Sequence, residues 1–173
     1  YESMRRAHAQ QRLVLGIDRL DYSRGLPQRM RAFRALLDSH PESRGNTTLL
    51  QISSPTRESV DPYADIRSEL ESLSGAINGD HGELDWMPVH YIYKMVARKH
   101  IPGLCRAAAV GLVTPLRDGM NLVAKEYVAA QDPADPGVLV LSRFAGAAEQ
   151  LKEALLVNPY DIQGTAEAIA QAL

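Results

Sequence analysis

The residues best suited to chemistry in this sequence are basic, acidic and amide side chains gathered in short segments that follow apolar runs. DRLDYSRGLP follows the first run and brings Arg19, Arg24 and a Gly25 that permits a tight turn. SSPTR follows the second and ends in Arg57, and TPLRDGMNLVAKE follows a later one with Arg117, Asp118, Gly119, Asn121, Lys125 and Glu126. Arginine's planar fork suits phosphate oxygens, and the free N–H groups of a helix start add partial positive charge. Together these segments point to an anion site. Gly119 lets the backbone approach a ligand closely, and Asn121 has the residue type of a helix N-cap. Leu122 and Glu126 are four apart and share a helix face, so Glu126 can reach a group held at the helix start. A carboxylate accepting from a ribose diol is one use of such a residue. A surface pair with a lysine or arginine is another, and spacing leaves both open. Arg19 and Arg24 are open in the same way, since Asp18 and Asp21 stand beside them as surface partners.

Other chemistries find less support. His8, His40, His81, His90 and His100 form no H-x-x-x-H or comparable spacing, so no metal site is expected. Cys105 is the single cysteine, which excludes disulfide frameworks and fits a reducing, cytoplasmic setting. Its apolar neighbours suggest a core residue. Trp86, in an Asp-Trp-Met-Pro turn, is expected to pack against the sheet rather than stack on a ligand. No G-x-G-x-x-G, G-x-x-x-x-G-K-[ST] or G-x-S-x-G occurs. The 19 basic and 21 acidic residues of the 173 leave a net charge of −2, with no global field for nucleic acid. Hydrophobic residues at 45% and charged residues at 23% exclude a disordered chain. No apolar run approaches the ~18 residues of a membrane span.

The elements that must carry these residues follow from periodicity. Strands are expected at 12–17, 47–53, 89–93, 110–114, 138–142 and 155–158. Helices are expected at 26–37, from 61 through Leu73, at 94–107 with Pro102 interrupting, at 122–131, at 146–154 and from Asp161. Residues 74–88, rich in Gly and Asp, read as a long loop. Strands that are continuously apolar are buried on both faces, and strand–helix alternation implies right-handed crossovers and a parallel sheet. The expected fold is a doubly wound, Rossmann-like α/β domain over residues 1–173. In such a sheet ligands bind at the carboxyl ends of the strands, where the unusual residues fall. Tyr1 lies just ahead of the first strand, and TAEAIAQAL stops inside a helical pattern, so a piece of a longer protein is expected.

DRLDYSRGLP, LVTPLRDGMNLVAKEYVAAQ, PGVLVLSRFAGAAEQL and LLVNPYD resemble the bacterial trehalose-6-phosphate synthases, a retaining glycosyltransferase family. The resemblance runs from about Leu13 to the last residues. It implies the C-terminal, donor-binding half of a GT-B fold, with an N-terminal acceptor domain as the missing partner. It implies transfer of glucose from UDP-glucose to glucose 6-phosphate, without cofactor or metal, in a cytoplasmic enzyme. Arg19 and Arg24 would hold the diphosphate and stabilise the leaving UDP, although the family usually has lysine at Arg24. Asp118 would bind hydroxyls of the transferred glucose. Gly119, Met120 and Asn121 would line the sugar and phosphate region, with Leu122, Val123, Ala124 and Lys125 at the helix start and Glu126 on the ribose. Val96 falls where some members place a phenylalanine beside the uracil. Arg57 would reach the phosphate of glucose 6-phosphate. A related transferase with another phosphorylated acceptor, such as glycerol 3-phosphate, and a non-catalytic UDP-sugar-binding module are the alternatives. No nucleic-acid or membrane partner is implied, and homo-oligomerisation stays open.

Overall fold

A computed structural model describes residues 11–55 and 61–173. Six strands, β1 (Arg12–Arg19), β2 (Thr47–Ser54), β3 (Val89–Tyr93), β4 (Val110–Val113), β5 (Val138–Ser142) and β6 (Leu155–Val157), form one sheet in the order β3-β2-β1-β4-β5-β6. Every neighbouring pair is parallel. Among the described residues five α-helices accompany them: α1 (Leu26–Ser39), α2 (Asp61–His81), α3 (Ile101–Ala107), α4 (Leu122–Ala130) and α5 (Ile162–Ala172). The Rossmann-like α/β reading therefore holds.

The two faces of the sheet bury separate cores, which is why the strands read as unbroken apolar runs. Val14, Leu49, Val110, Leu112 and Val140 face Met30, Phe33 and Leu36 of α1, Ile66, Leu70 and Ile77 of α2, and Ile169 of α5. Leu13, Leu15, Ile52, Val113 and Leu141 face Leu104 and Cys105 of α3 and Ala124 and Tyr127 of α4. The chain builds outward from β1 to β3, crosses back, and builds outward again from β4 to β6. The strand order reverses between β1 and β4, and the crevice outside their carboxyl ends is where such a sheet binds ligands.

Three expectations need correction. Residues 74–88 are not one loop, because α2 runs on to His81. Ile77 continues the apolar stripe of Leu70 and Leu73 and is fully buried, outweighing the nearby glycines. Asn78 then ties the helix end to β3: its Oδ1 accepts from Val89 N at 2.8 Å and its Nδ2 donates to Val89 O at 2.9 Å. Trp86, in the short turn that remains, is buried and donates to Thr48 Oγ1 at 3.2 Å, so it packs on the sheet as expected. Residues 94–107 are not one helix either. A 3₁₀ turn at Arg98–His100 precedes α3, and Pro102 sits in the first turn of α3, where its missing N–H costs nothing. Residues 146–154 make only a 3₁₀ turn, Gly146–Glu149. Gly146 N donates to Asp118 O at 3.0 Å and Ala147 N to Met120 O at 2.7 Å, so this segment is committed to the neighbouring loop.

Candidate functional site

β1 ends at Arg19, whose side chain is exposed at the carboxyl edge. The chain then turns through Asp21, whose Oδ1 accepts from Ser23 N at 2.8 Å and Ser23 Oγ at 2.6 Å. These bonds, helped by the positive charges of Arg24 and Arg19, hold the Asp21 carboxyl below its ordinary range. Asp21 is thus committed to the turn, which Arg24 closes by donating its backbone N–H to Asp21 O at 3.1 Å. Gly25 follows with φ 64°, a left-handed conformation that starts α1 and re-aims the backbone. A Cβ at Gly25 would lie 2.6 Å from Thr114 O, so the start of α1 crosses directly over the end of β4.

The segment after β4 is fastened on both sides. Leu116 N donates to Ser23 O at 2.7 Å, and Arg117 N to the same oxygen at 3.3 Å. Asp118 N donates to Phe144 O at 3.3 Å, while Asp118 O accepts from Gly146. The Asp118 carboxylate receives Arg24 Nη1, Asn121 Nδ2 at 3.0 Å and Met120 N at 3.3 Å. Arg24 and Asp118 retain 20% and 15% of their side-chain exposure, so the pair is partly shielded yet open to a ligand. Asn121 has φ 75°, the one positive φ outside glycine among the described residues. Its strain is offset by two bonds, since Oδ1 also caps Ala124 N at 3.1 Å while Nδ2 holds Asp118.

The remaining described residues singled out from the sequence lie in the loop after Asp118, on α4 and, for Val96, after β3. A Cβ at Gly119 would meet open space, so the backbone there faces outward unobstructed. Met120 and Leu122 are exposed, Val123 is half-buried against α3's side of the sheet, and Ala124 lies in the core with its N–H already bonded. Lys125 is half-buried. Glu126 has Arg98 Nη2 at 3.7 Å, but Arg98 is 89% exposed, and so screened a pair contributes little and leaves the carboxylate accessible. Val96 packs partly against the second core. Arg57 lies outside the described residues. Phe144 and Tyr160, both exposed, stand with ring centroids 6.3 Å apart beyond β5 and β6.

Behind this edge lies a group of residues that periodicity did not single out. Arg29 of α1 is buried, donating from Nε to Thr114 Oγ1 at 3.0 Å and from Nη1 to Gln51 Oε1 at 2.9 Å and to Asp18. Asp18 therefore belongs to Arg29, not to Arg19 or Arg24. The signal was available: an arginine between Leu26, Met30 and Phe33 on the apolar face of a helix has to be paired. Cys105 is buried and its thiol is pushed up to about 11 by desolvation, with the Glu126 charge adding to it, so it is no nucleophile. Among the described residues no cluster of three or more His, Cys, Asp or Glu is placed to hold a metal. A cavity of about 310 Å³ borders Glu126, lined by Arg98, Ile101, Pro102, Ala129 and Ala130. No described helix is long and apolar enough to cross a membrane. The arrangement is suited to binding an anion beside a polyhydroxylated group. Cations and helix-start N–H groups take the charge, and an oriented carboxylate takes the hydroxyls.

Residues 1–173 match the model of Glycosyltransferase family 20. The chain is 56% identical over 161 residues to a trehalose-6-phosphate synthase of Sinorhizobium fredii, covering 93% of this chain and 35% of that protein. It is 54% identical over 161 residues to one of Sodalis glossinidius, covering 93% and 34%. It superposes with TM-score 0.97 and 56% identity on an alpha,alpha-trehalose-phosphate synthase (UDP-forming) of Burkholderia xenovorans in complex with glucose-6-phosphate, over 99% of this chain and 38% of that one. An E. coli structure bound with UDP-2-fluoro glucose superposes with TM-score 0.96 and 50% identity, over 99% and 38%. The chain thus spans about a third of the length of these relatives.

Proposed function

The chain belongs to glycosyltransferase family 20, and from that premise we propose that it is the donor-binding part of a UDP-forming alpha,alpha-trehalose-phosphate synthase. The donor is UDP-glucose, the acceptor glucose 6-phosphate, and the setting the cytoplasm. An acceptor-binding domain outside these 173 residues supplies the facing wall of the cleft. The observation that carries the reading is the meeting of Arg24 and Asp118, 94 residues apart in sequence, at the β1/β4 crevice where the sheet order reverses.

In this reading Arg19 and Arg24 clamp the diphosphate, and Asp118 accepts from hydroxyls of the glucosyl group. Gly119, Met120 and Asn121 line the sugar, while backbone N–H groups at Leu122 and Val123 face the phosphates. Glu126 accepts from the ribose, and Val96 borders the base. Arg57 reaches the acceptor phosphate. The C1–O bond to UDP breaks with its electron pair going to the β-phosphate, and the arginines stabilise the charge that develops there. The acceptor's anomeric hydroxyl forms the new C1–O bond on the same face and gives its proton to a departing phosphate oxygen. No metal is required, because fixed cations already supply the positive field.

Isothermal titration of the 173-residue chain with UDP, UDP-glucose and an adenine nucleotide tests the reading. UDP and UDP-glucose should bind and the adenine nucleotide should not. Arg19→Ala, which removes charge-assisted bonds of roughly 1.5–3 kcal/mol, should weaken UDP more than about tenfold. Absence of UDP binding, or an Arg19→Ala variant of unchanged affinity, overturns it. The chain alone should release no disaccharide phosphate, since acceptor positioning worth ~7–11 kcal/mol needs both walls of the cleft.

A further inference from the structure

We propose that Arg29 is a positioning residue that locks the two ligand-bearing loops, Arg24–Gly25 and Thr114–Asn121, to one another from beneath. The inference rests on the donor-site reading for its functional consequence, but its geometry is independent of any ligand. Arg29 has no side-chain exposure, and its guanidinium reaches β1, β2 and the residue that follows β4. Nε takes Thr114 Oγ1 at the start of the loop that carries Asp118, Nη1 takes Gln51 of β2, and both Nη atoms face the Asp18 carboxylate one residue before Arg19. Gln51 closes the group by donating from Nε2 to Asp18 Oδ2 at 3.3 Å and to Ile52 O at 3.2 Å.

Stability alone does not account for such a group. Removing two charges from water costs about as much as their attraction returns, and an apolar seam of equal volume is often as stable. The surroundings are nevertheless shaped to admit the guanidinium. A Cβ at Gly16, in the middle of β1, would stand 2.3 Å from Gln51 Oε1 and 2.6 Å from Arg29 Nη1. A glycine in a central strand is otherwise a liability, and here it makes the room. What the group gains is direction. Arg29 lies one helical turn past Gly25, so fixing its guanidinium to Thr114 fixes the start of α1 against the end of β4. The contacts of Gly25 with Thr114 O, of Leu116 N with Ser23 O, and of Arg24 with Asp118 all span that same seam.

Thr114→Val tests this, because it removes the Oγ1 acceptor at almost constant volume, whereas Arg29→Ala strands the Asp18 charge and can unfold the chain. Hydrogen exchange on the 173-residue chain should show amides of residues 22–25 and 116–121 exchanging about tenfold faster in Thr114→Val. Amides of α5, remote from the seam, should keep their protection, and Thr114→Ser should restore the wild-type pattern. UDP affinity should fall several-fold in Thr114→Val and recover in Thr114→Ser. Unchanged exchange in both loops overturns the inference, and so does an equal acceleration in α5, which would mark a merely structural role. Loosened loops in a chain whose wild type binds no UDP would instead sustain the positioning role and sink the donor-site reading.

Discussion

Replacing Asp118 by asparagine should make the site bind UDP more tightly, although Asp118 belongs to the proposed donor pocket. The reason is the partner it already has. Arg24 Nη1 is bonded to the Asp118 carboxylate, so a diphosphate must compete for that guanidinium. In Asp118→Asn the side-chain amide would keep its oxygen for Asn121 Nδ2 and give up only the 3.3 Å bond from the Met120 N–H, so the loop should hold its shape. The charge is what disappears. With side-chain exposures of 20% and 15% the pair lies between a screened surface pair and a buried one, and about 1 kcal/mol is a fair figure for its net attraction. Releasing that cost corresponds to about fivefold in affinity for UDP. UDP-glucose should gain less, because its sugar hydroxyls lose a carboxylate acceptor. Calorimetric titration of both proteins with both ligands reads this directly, and raising the salt should shrink the difference. A variant that binds UDP no better than wild type, or worse, would refute the idea that Asp118 and phosphate compete for Arg24.

Three further outcomes are expected. Gly25→Ala forces a φ of 64° on an L side chain and places its Cβ 2.6 Å from Thr114 O. It should cost about 2 kcal/mol and lower the melting temperature by roughly 4–8 °C; an unchanged melt would show that the α1–β4 crossing is slack. The Cys105 thiol, pushed up from 9.0 to about 11, should be alkylated by iodoacetamide at pH 8 roughly 100-fold more slowly than an ordinary thiol. Its rate should climb as pH rises toward 11, and rapid labelling of the native chain at pH 8 would contradict the burial. UDP affinity should survive EDTA, since Arg19 and Arg24 provide the positive charge; a loss that Mg²⁺ restores would count against a metal-free site.

The sequence made the sheet and its edge legible because both depend on short-range patterning. Apolar runs of strand length marked β1 to β6, and the clustering of Arg19, Arg24 and Asp118 behind two of them marked the crevice. What it hid was set by tertiary contact. The glycines in residues 74–88 argued for a loop, and only the buried face of Ile77 and the paired bonds of Asn78 to Val89 show why α2 continues. Pro102 read as an interruption because the segment before it looked helical; in place it opens α3. The partners of Arg24 and Asp18 could not be chosen by proximity in sequence, since each bonds to a residue brought in by the fold, Asp118 and Arg29.

The buried quartet of Asp18, Arg29, Gln51 and Thr114, with Gly16 making its room, also constrains how this domain can evolve. Losing Arg29 first strands a carboxylate, losing Asp18 first strands a guanidinium, and enlarging Gly16 first drives a methyl into both Gln51 and Arg29. Each first step is harmful, while the fully apolar end point need not be. Asp18, Arg29 and Gly16 should therefore show strong epistasis, their substitutions tolerated together and rejected singly. Lineages would then keep the whole set or replace it in a cluster, and mixed intermediates would be rare.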